Sequence, residues 1–414
     1  MENSLMNNYA PLSPVIEKGE GVKLYDTTGK EYIDFTSGIG VNCLGYNHPK
    51  WVSAISNQAK KLQHCSNIFL NPVTVELSNK LTKAANMSKV FFANSGAEAN
   101  EGAIKLARKY SFDKYGEGRA TVLTLKQSFH GRTITTLMAT GQDKFHKYFM
   151  PFTEGFDYTP ANDIEEFKKH LTDDVCAVMM EAVQGEGGVH PLNKDFVQEV
   201  CKICNEKDIL IIFDEVQAGM ARTGKLFGFE HFHIKADIVS MAKGLGAGLP
   251  IGAVLCNEKA ANTFKPGDHG STFGGNPVVC AGALVVLDEL CNEESFKAIS
   301  KKSEIIKKVA PCSLMCHTCS AYNDGIICVS AKTLLKYLEG IKEFYEVHMP
   351  DAVESYNNFE GVLSIYAGAS CSGCRSTEHN GCSIEGCFLL ECTKNHGVDF
   401  CGECNEFPCK KTQG

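Results

Sequence analysis

VFFAN at 90–94 runs without a break into SGAEANEGAIKLARKY at 95–110. The first piece is an apolar run short enough for a strand buried on both faces. The second spaces its apolar residues at helical intervals, with Ser95 placed to cap it. A strand handed straight to a helix is half of a β-α-β unit, and the same grammar recurs along the chain. TVLTL (121–125), VCAVMME (175–181), ILIIFDE (209–215) and DIVSMAK (237–243) are further short apolar runs bounded by polar residues. Helical faces lie between or before them, such as Trp51, Ile55, Ala59 and Leu62, or Val73, Leu77 and Leu81. Strands alternating with helices predict an α/β fold with a mostly parallel sheet, and ligands of such sheets sit at the carboxyl ends of the strands.

Three strand ends carry chemistry. The helix opening at Ser95 offers free backbone N–H groups, and Ser95-Gly96-Ala97 lets a ligand come close to the backbone, as a phosphate site requires. An ordinary Ser cap explains the same letters. Asp214 closes ILIIF, a strand apolar enough to be buried, so its carboxylate needs a cation or a strong donor. A protonated pyridine nitrogen would serve, and so would a structural ion pair. Lys243 ends DIVSMA and opens GLGAGLPIG; a desolvated lysine there is a candidate Schiff-base nucleophile, against the plainer reading of a solvated loop. Together the three match what pyridoxal 5′-phosphate needs: a neutralised phosphate, a protonated ring nitrogen and an amine for the aldehyde.

The chain has 414 residues, enough for two or three domains, with ordinary globular proportions of apolar and charged residues. Its formal net charge of −8 and the lack of a basic stretch argue against nucleic acid and anionic membranes as partners. MENSLMNNYAP has neither a basic nor an apolar leader region, and no apolar run reaches membrane-spanning length, so a cytoplasmic protein is expected. The 20 cysteines are skewed: 8 lie scattered in residues 1–310 and 12 in residues 311–414. The expected organisation is an N-terminal segment (1–48), a cofactor-binding large domain (49–290), a connecting helix (291–310) and a cysteine-rich domain (311–414).

From about Tyr9 to about Lys308 the chain resembles the class III pyridoxal-phosphate aminotransferases, in particular their acetylornithine/ornithine branch. The resemblance rests on GEGVKLYDTTGKEYIDFTSGIGVNCLGYNHP (19–49), FFANSGAEANEGAIKLAR (91–108), SFHGRT (128–133), EAVQGEGGV (181–189), IIFDEVQAGMARTG (211–224), MAKGLGAGLPIGAV (241–254) and HGSTFGGNP (269–277). It implies the large domain of a fold-type I pyridoxal-phosphate transferase. Residue by residue it implies that Lys243 binds the cofactor and then shuttles the substrate proton, and that Asp214 pairs with the pyridine nitrogen. It places Glu215, Val216 and Gln217 in the cofactor set, with Val216 and Gln217 against the ring. Ser95, Gly96 and Ala97 would hold the phosphate, Phe129 would stack on the ring with His130 beside it, and Arg132 would take a substrate carboxylate. Thr272 would reach the phosphate of a neighbouring subunit, with Ser271 at the same edge, which makes the expected active site a homodimer property. The implied reaction moves the δ-amino group of N-acetylornithine to 2-oxoglutarate; ornithine, 4-aminobutyrate or another ω-amine stay open as donors.

Two departures from the family are visible. Glu181-Ala182 stands where Glu-Pro is usual, which removes no catalytic group. The family also continues past this point into a small α/β domain that supplies an arginine for substrate carboxylates, the ordinary partner of Glu186. Here ESFKAISKKSEIIKK (294–308) still resembles the connecting helix, but the only later arginine is Arg375, inside a cysteine cluster. A catalytically impaired cofactor- and metal-binding fusion is therefore the alternative expectation.

That cluster runs C-x2-C-x7-C-x4-C-x4-C-x8-C-x2-C-x4-C through Cys371, Cys374, Cys382, Cys387, Cys392, Cys401, Cys404 and Cys409. Eight thiols with CxxC pairs match two four-cysteine sites for zinc or an iron–sulfur cluster. Cys312, Cys316, Cys319 and Cys328 are a second candidate set, and AKTLLKYLEGIKEFYE (331–346) between them reads as an amphipathic helix. CSGCR and CGECNEFPCKK also resemble a family of small bacterial cysteine-rich domains without an established chemistry. The C-x3-C-x2-C of residues 312–319 has the spacing of radical-SAM enzymes, but too little chain follows it for their barrel. Cys201 and Cys204 share a helical face with Val197 and Val200 and are expected in the core. His231 and His233 are expected in a short extended stretch, in structural roles.

Overall fold

The computed structural model describes residues 4–306, 326–338 and 341–368. The chain divides into two compact units, Met1–Ile299 and Ser300–Gly414. The first opens with an antiparallel sheet of β1 (Ile16–Glu20), β2 (Lys23–Asp26) and β3 (Glu31–Ile33). Its main body is built on seven strands: β4 (Lys89–Ala93), β5 (Thr121–Leu125), β6 (Phe156–Thr159), β7 (Val175–Met180), β10 (Leu210–Asp214), β11 (Ile238–Met241) and β12 (Gly252–Cys256). A two-strand ribbon of β8 (Val183–Gln184) and β9 (His190–Pro191) stands apart.

The order across the main sheet is β4-β12-β11-β10-β7-β5-β6. Only β12 runs against its neighbours, so the other six strands share one direction and the mostly parallel sheet expected from the sequence is present. Both faces are covered, and strand alternation divides the core accordingly. On β10, Ile211 and Phe213 join one apolar cluster while Leu210 and Ile212 join the other. Phe213 packs at 5.3 Å on Phe229 and 6.3 Å on Phe232 by ring centroid. Full burial of such a ring contributes roughly 1.5–3 kcal/mol. On the second face, Ala99, Ala103 and Ala107 of the Gly96–Tyr115 helix have no measurable exposure; their small side chains let the helix lie close to the sheet.

Where sequence and structure differ, hydrogen bonding supplies the reason. Residues 228–233 are not extended: Gly228–Phe232 forms a 3-10 turn and His233 follows at φ 57°. Carboxylates close that turn, buried Glu215 accepting from the N–H groups of Gly228 and Phe229 and half-buried Glu230 from that of Phe227. His231 does have a structural role, its Nε2 within 3.2 Å of Thr223 O and Oγ1. Lys243 does not end β11 but opens a separate 3-10 turn, Lys243–Leu245. Cys201 and Cys204 are buried on the Lys194–Glu206 helix beside Val197 and Val200, as expected.

The described part of the second unit is helical. Its described helices are Ile326–Leu338, Ile341–His348 and Val353–Ala367, and residues 339 and 340 of the helix expected over 331–346 lie outside the described residues. Cys328 is fully buried with its thiol 3.7 Å from Ala367 O, and the Tyr345 and Tyr356 rings pack 5.3 Å apart. Cys312, Cys316, Cys319, Cys371, Cys374, Cys382, Cys387, Cys392, Cys401, Cys404 and Cys409 lie outside the described residues. No helix among the described residues is long and apolar enough to cross a membrane.

Candidate active site

Because six strands point the same way, Ala93, Met180, Asp214 and Met241 end along one edge of the sheet, and the residues after them converge. They line a cavity of about 460 Å³ that contains Ser95, Gly96, Ala97, Phe129, His130, Arg132, Glu186, Asp214, Val216, Gln217 and Lys243. Eleven residues singled out from distant parts of the sequence thus meet in one place.

One end of the cavity is the start of the Gly96–Tyr115 helix. Ser95 caps it, its Oγ accepting from Glu98 N at 3.1 Å. First-turn N–H groups have no acceptor within their own helix, and Gly96 and Ala97, which carry two of them, face the cavity. A Cβ on Gly96 would sit 2.7 Å from Val216 Cγ1, so only glycine lets the helix terminus approach the Val216 wall. The combination is an anion cradle.

Asp214 is the anchor of the buried end. One oxygen accepts from Asn100 Nδ2 at 2.7 Å and faces His130 Nδ1 at 2.8 Å; the other accepts from Val216 N at 3.0 Å. A carboxylate facing Nδ1 places the imidazole proton there, and His130 Nε2 is buried with no partner among the described residues. Lys243 stands at φ 41°, and its Nζ donates to Gln217 Oε1 at 2.6 Å. Burial pushes its amine toward the neutral form, with Arg222 acting in the same sense, while Asp214, Glu186 and Glu181 oppose the shift. Burial, reinforced by Asp214, also holds the Glu181 carboxyl well above the usual carboxylate range.

Pyridoxal phosphate fits this donor set. The helix terminus would take its phosphate, Asp214 its ring nitrogen and Lys243 its aldehyde carbon, and the cavity is wide enough for the ring.

Arg132 is exposed at the cavity, its guanidinium 4.1 Å from the Phe145 ring and 5.6 Å from the Phe129 ring. Such stacking steadies an arginine fork by roughly 0.5–1 kcal/mol. Glu186 is exposed and has no ion-pair partner among the described residues.

Three expected site residues are placed elsewhere. Glu215 points away from the cavity, because the residue after Asp214 turns its carboxyl into the Gly228–Phe232 turn; burial raises that carboxyl's pKa to about 8. Ser271 and Thr272 line a neighbouring cavity of about 430 Å³ with Glu98, Glu101 and His269. There Ser271 Oγ accepts from Asn94 Nδ2 at 3.1 Å and Gly274 N at 3.0 Å.

Sequence reasoning passed over three residues. Asn100 is buried on the alanine-rich face of its helix, donating to Asp214 and to His130 O and accepting from Ser240 Oγ. A lone amide in an alanine stripe was the available signal. Glu181, next after β7, lines the cavity and accepts from Phe129 N at 3.0 Å; its strand-end position matches that of Asp214. Arg222 donates to Gln217 O at 2.8 Å and to Gly40 O, and nothing in its local sequence marks that reach. The buried cysteines bear no chemistry of this kind: burial pushes the Cys176 thiol up to about 12 and the Cys280 thiol to about 11.

Comparisons with known proteins agree with this arrangement. Residues 5–309 match the family described as Aminotransferase class-III, and residues 308–414 match one described as Protein of unknown function (DUF3795). The acetylornithine aminotransferase of Caldanaerobacter subterraneus is 51% identical over 304 residues, covering 73% of this chain and 77% of that protein. That of Haemophilus ducreyi is 52% identical over 289 residues, covering 70% and 74%. Among solved structures, the ornithine aminotransferase of Toxoplasma gondii superposes with a TM-score of 0.71 at 33% identity, covering 77% of this chain and 75% of that one. The N-acetylornithine aminotransferase of Stenotrophomonas maltophilia gives 0.62 at 37% identity, covering 72% and 74%.

Proposed function

The chain belongs to the class III aminotransferases, which depend on pyridoxal phosphate, and from that premise we propose that it moves the δ-amino group of N-acetylornithine to 2-oxoglutarate. The observation that carries this is the convergence of Asp214, Lys243 and the Gly96 helix terminus on one cavity, together with about 50% identity to acetylornithine aminotransferases. Bound pyridoxal phosphate supplies an aldehyde that condenses with amines and a ring that withdraws electrons from the adjacent carbon. The Asp214 carboxylate, fixed by Asn100 and His130, keeps the ring nitrogen protonated. Lys243 Nζ, biased by burial toward the neutral amine, would take the proton from the substrate δ-carbon and deliver it to the cofactor's former aldehyde carbon, with the reverse transfer in the 2-oxoglutarate half-reaction. Arg132 takes a substrate carboxylate in its fork, and Phe129 covers a ring face.

The homodimer belongs to the same proposal. Ser271 and Thr272 open to a cavity of their own, while Phe35, Ile39, Ile68, Phe69, Leu70 and Phe273 leave large apolar side chains exposed. A second copy would cover them and bring Thr272 to its partner's phosphate. We further take residues 49–290 as the cofactor-binding domain and assign zinc or an iron–sulfur cluster to the eight cysteines of 371–409, on their number and spacing alone.

A second reading, an impaired enzyme, is favoured by one observation: Glu186 forms no ion pair among the described residues, and Arg375 is the only arginine after Arg222. The test is the visible spectrum of the full chain with pyridoxal phosphate, compared with Lys243→Ala. A visible band in the wild type alone, bleached by N-acetylornithine and restored by 2-oxoglutarate, is expected. No band would sink the cofactor assignment; a band that no amine bleaches would favour the impaired enzyme. Metal content of the same protein, with and without the cysteines of 371–409 replaced by serine, tests the cysteine-rich part.

A further inference from the structure

Arg222 is a charged group beside the cavity that bonds to two separate segments of chain and that the reaction above does not use. Its Nε donates to Gln217 O at 2.8 Å, and a terminal nitrogen donates to Gly40 O. The Gln217 side chain in turn holds Lys243 Nζ at 2.6 Å. Val41, next to Gly40, lines the cavity, and Cys43 Sγ lies 3.1 Å from the oxygen of Gly244, the residue after Lys243. Gly40 has φ +75°, and a Cβ there would sit 2.9 Å from the guanidinium, so the grip requires glycine. No carboxylate among the described residues forms an ion pair with Arg222.

We propose that Arg222 is a positioning residue for Lys243: by holding the Gln217 backbone and Gly40 together it fixes the amide that holds the lysine amine and the segment that walls the cavity beside it. Its charge adds to the effect. Four groups besides burial act on the Lys243 amine, namely Asp214, Glu186 and Glu181, which favour its ammonium form, and Arg222, which disfavours it. With Arg222 intact the amine is both aimed by Gln217 and more readily deprotonated. The inference rests on Lys243 being the reactive amine of the proposed function, but its test does not need the cofactor.

The experiment measures acetylation of Lys243 by acetic anhydride in the cofactor-free full chain across a pH series, read by peptide mass spectrometry. Arg222→Gln should move the profile to higher pH, so that acetylation near neutrality falls about three- to tenfold, the equivalent of half to one pK unit. Arg222→Lys, which keeps charge without the two-pronged grip, should fall between. Gly40→Ala, which displaces the guanidinium without removing it, should shift the profile in the same direction and covers the case in which Arg222→Gln does not fold. Lys225→Gln, a neighbouring charge outside the cavity, should leave the profile in place. Wild-type profiles in both Arg222→Gln and Gly40→Ala would overturn the proposal, as would a Lys225→Gln shift equal to that of Arg222→Gln. A wild-type protein without a visible band would defeat the proposed function while leaving this comparison intact.

Discussion

Replacing Glu215 by Gln should change stability with a sign that depends on pH. Its side chain is 1% exposed and accepts from Gly228 N at 2.8 Å and Phe229 N at 2.9 Å. Burial is the leading cause that raises the carboxyl to about 8 from an ordinary 4.5, with Asp214 and Glu230 adding and the two backbone bonds opposing. A raised carboxyl keeps a proton in the folded state that the unfolded chain has released. Its contribution to stability is therefore whole below about pH 4.5 and drains away as pH climbs toward about 8. At 1.36 kcal/mol per pK unit the full swing is on the order of 5 kcal/mol. Glutamine does not titrate, but its amide nitrogen meets one of the two backbone N–H groups and loses that bond, costing about 1–3 kcal/mol. Glu215→Gln should thus be less stable than wild type by about 1–3 kcal/mol near pH 4 and more stable by about 2–4 kcal/mol near pH 8.5. Other titrating groups, Glu181 among them, are common to both chains and cancel in the difference. Urea unfolding of both proteins across that pH range measures it. A difference constant with pH to within about 0.5 kcal/mol would refute the protonated state, and the lack of any deficit near pH 4 would refute the turn-closing role.

Asn100→Ala removes three buried hydrogen bonds, to Asp214, His130 O and Ser240. It should cost roughly 3–5 kcal/mol in urea unfolding and weaken the visible cofactor band; a loss under about 1 kcal/mol would contradict the network. Gly252→Ala would place a Cβ 2.2 Å from Ser95 O. Pushing the anion cradle aside in this way should weaken phosphate retention about tenfold or more while leaving Lys243 chemically reactive, as equilibrium dialysis of the cofactor would record; unchanged retention would mean that Ser95 can move freely.

Most of the sheet could be read from residue order, because a parallel sheet covered on both faces leaves unbroken apolar runs such as ILIIF. The long-range partnerships were less legible. Asp214 and Lys243 declare themselves by ending apolar runs, but the bond from Asn100 to Asp214 spans 114 positions and follows from helix phase and sheet order together. Glu215 went astray for a related reason: adjacent acidic residues at a strand end diverge, and only the destination of each side chain separates a cavity carboxylate from one that closes a turn. Arg222 depends on a left-handed glycine far upstream, a pairing that no local pattern announces. In the second unit the helical spacing of 331–346 agrees with the described helices Ile326–Leu338 and Ile341–His348.

The reversed strand β12 has a consequence for how the chain is made. β4, which carries the anion cradle on the helix that follows it, joins the main sheet only through β12, with Ala93 opposite Gly252. That partner emerges from the ribosome about 160 residues later, an interval of roughly 8–30 seconds at ordinary synthesis rates. Until then β4 has no strand to join in the main sheet, and VFFAN is an apolar edge of the kind that invites association with other chains. Closure of the sheet and assembly of the cofactor site are thus one late event in biogenesis. The nascent protein at that stage is where assistance from a chaperone would count most.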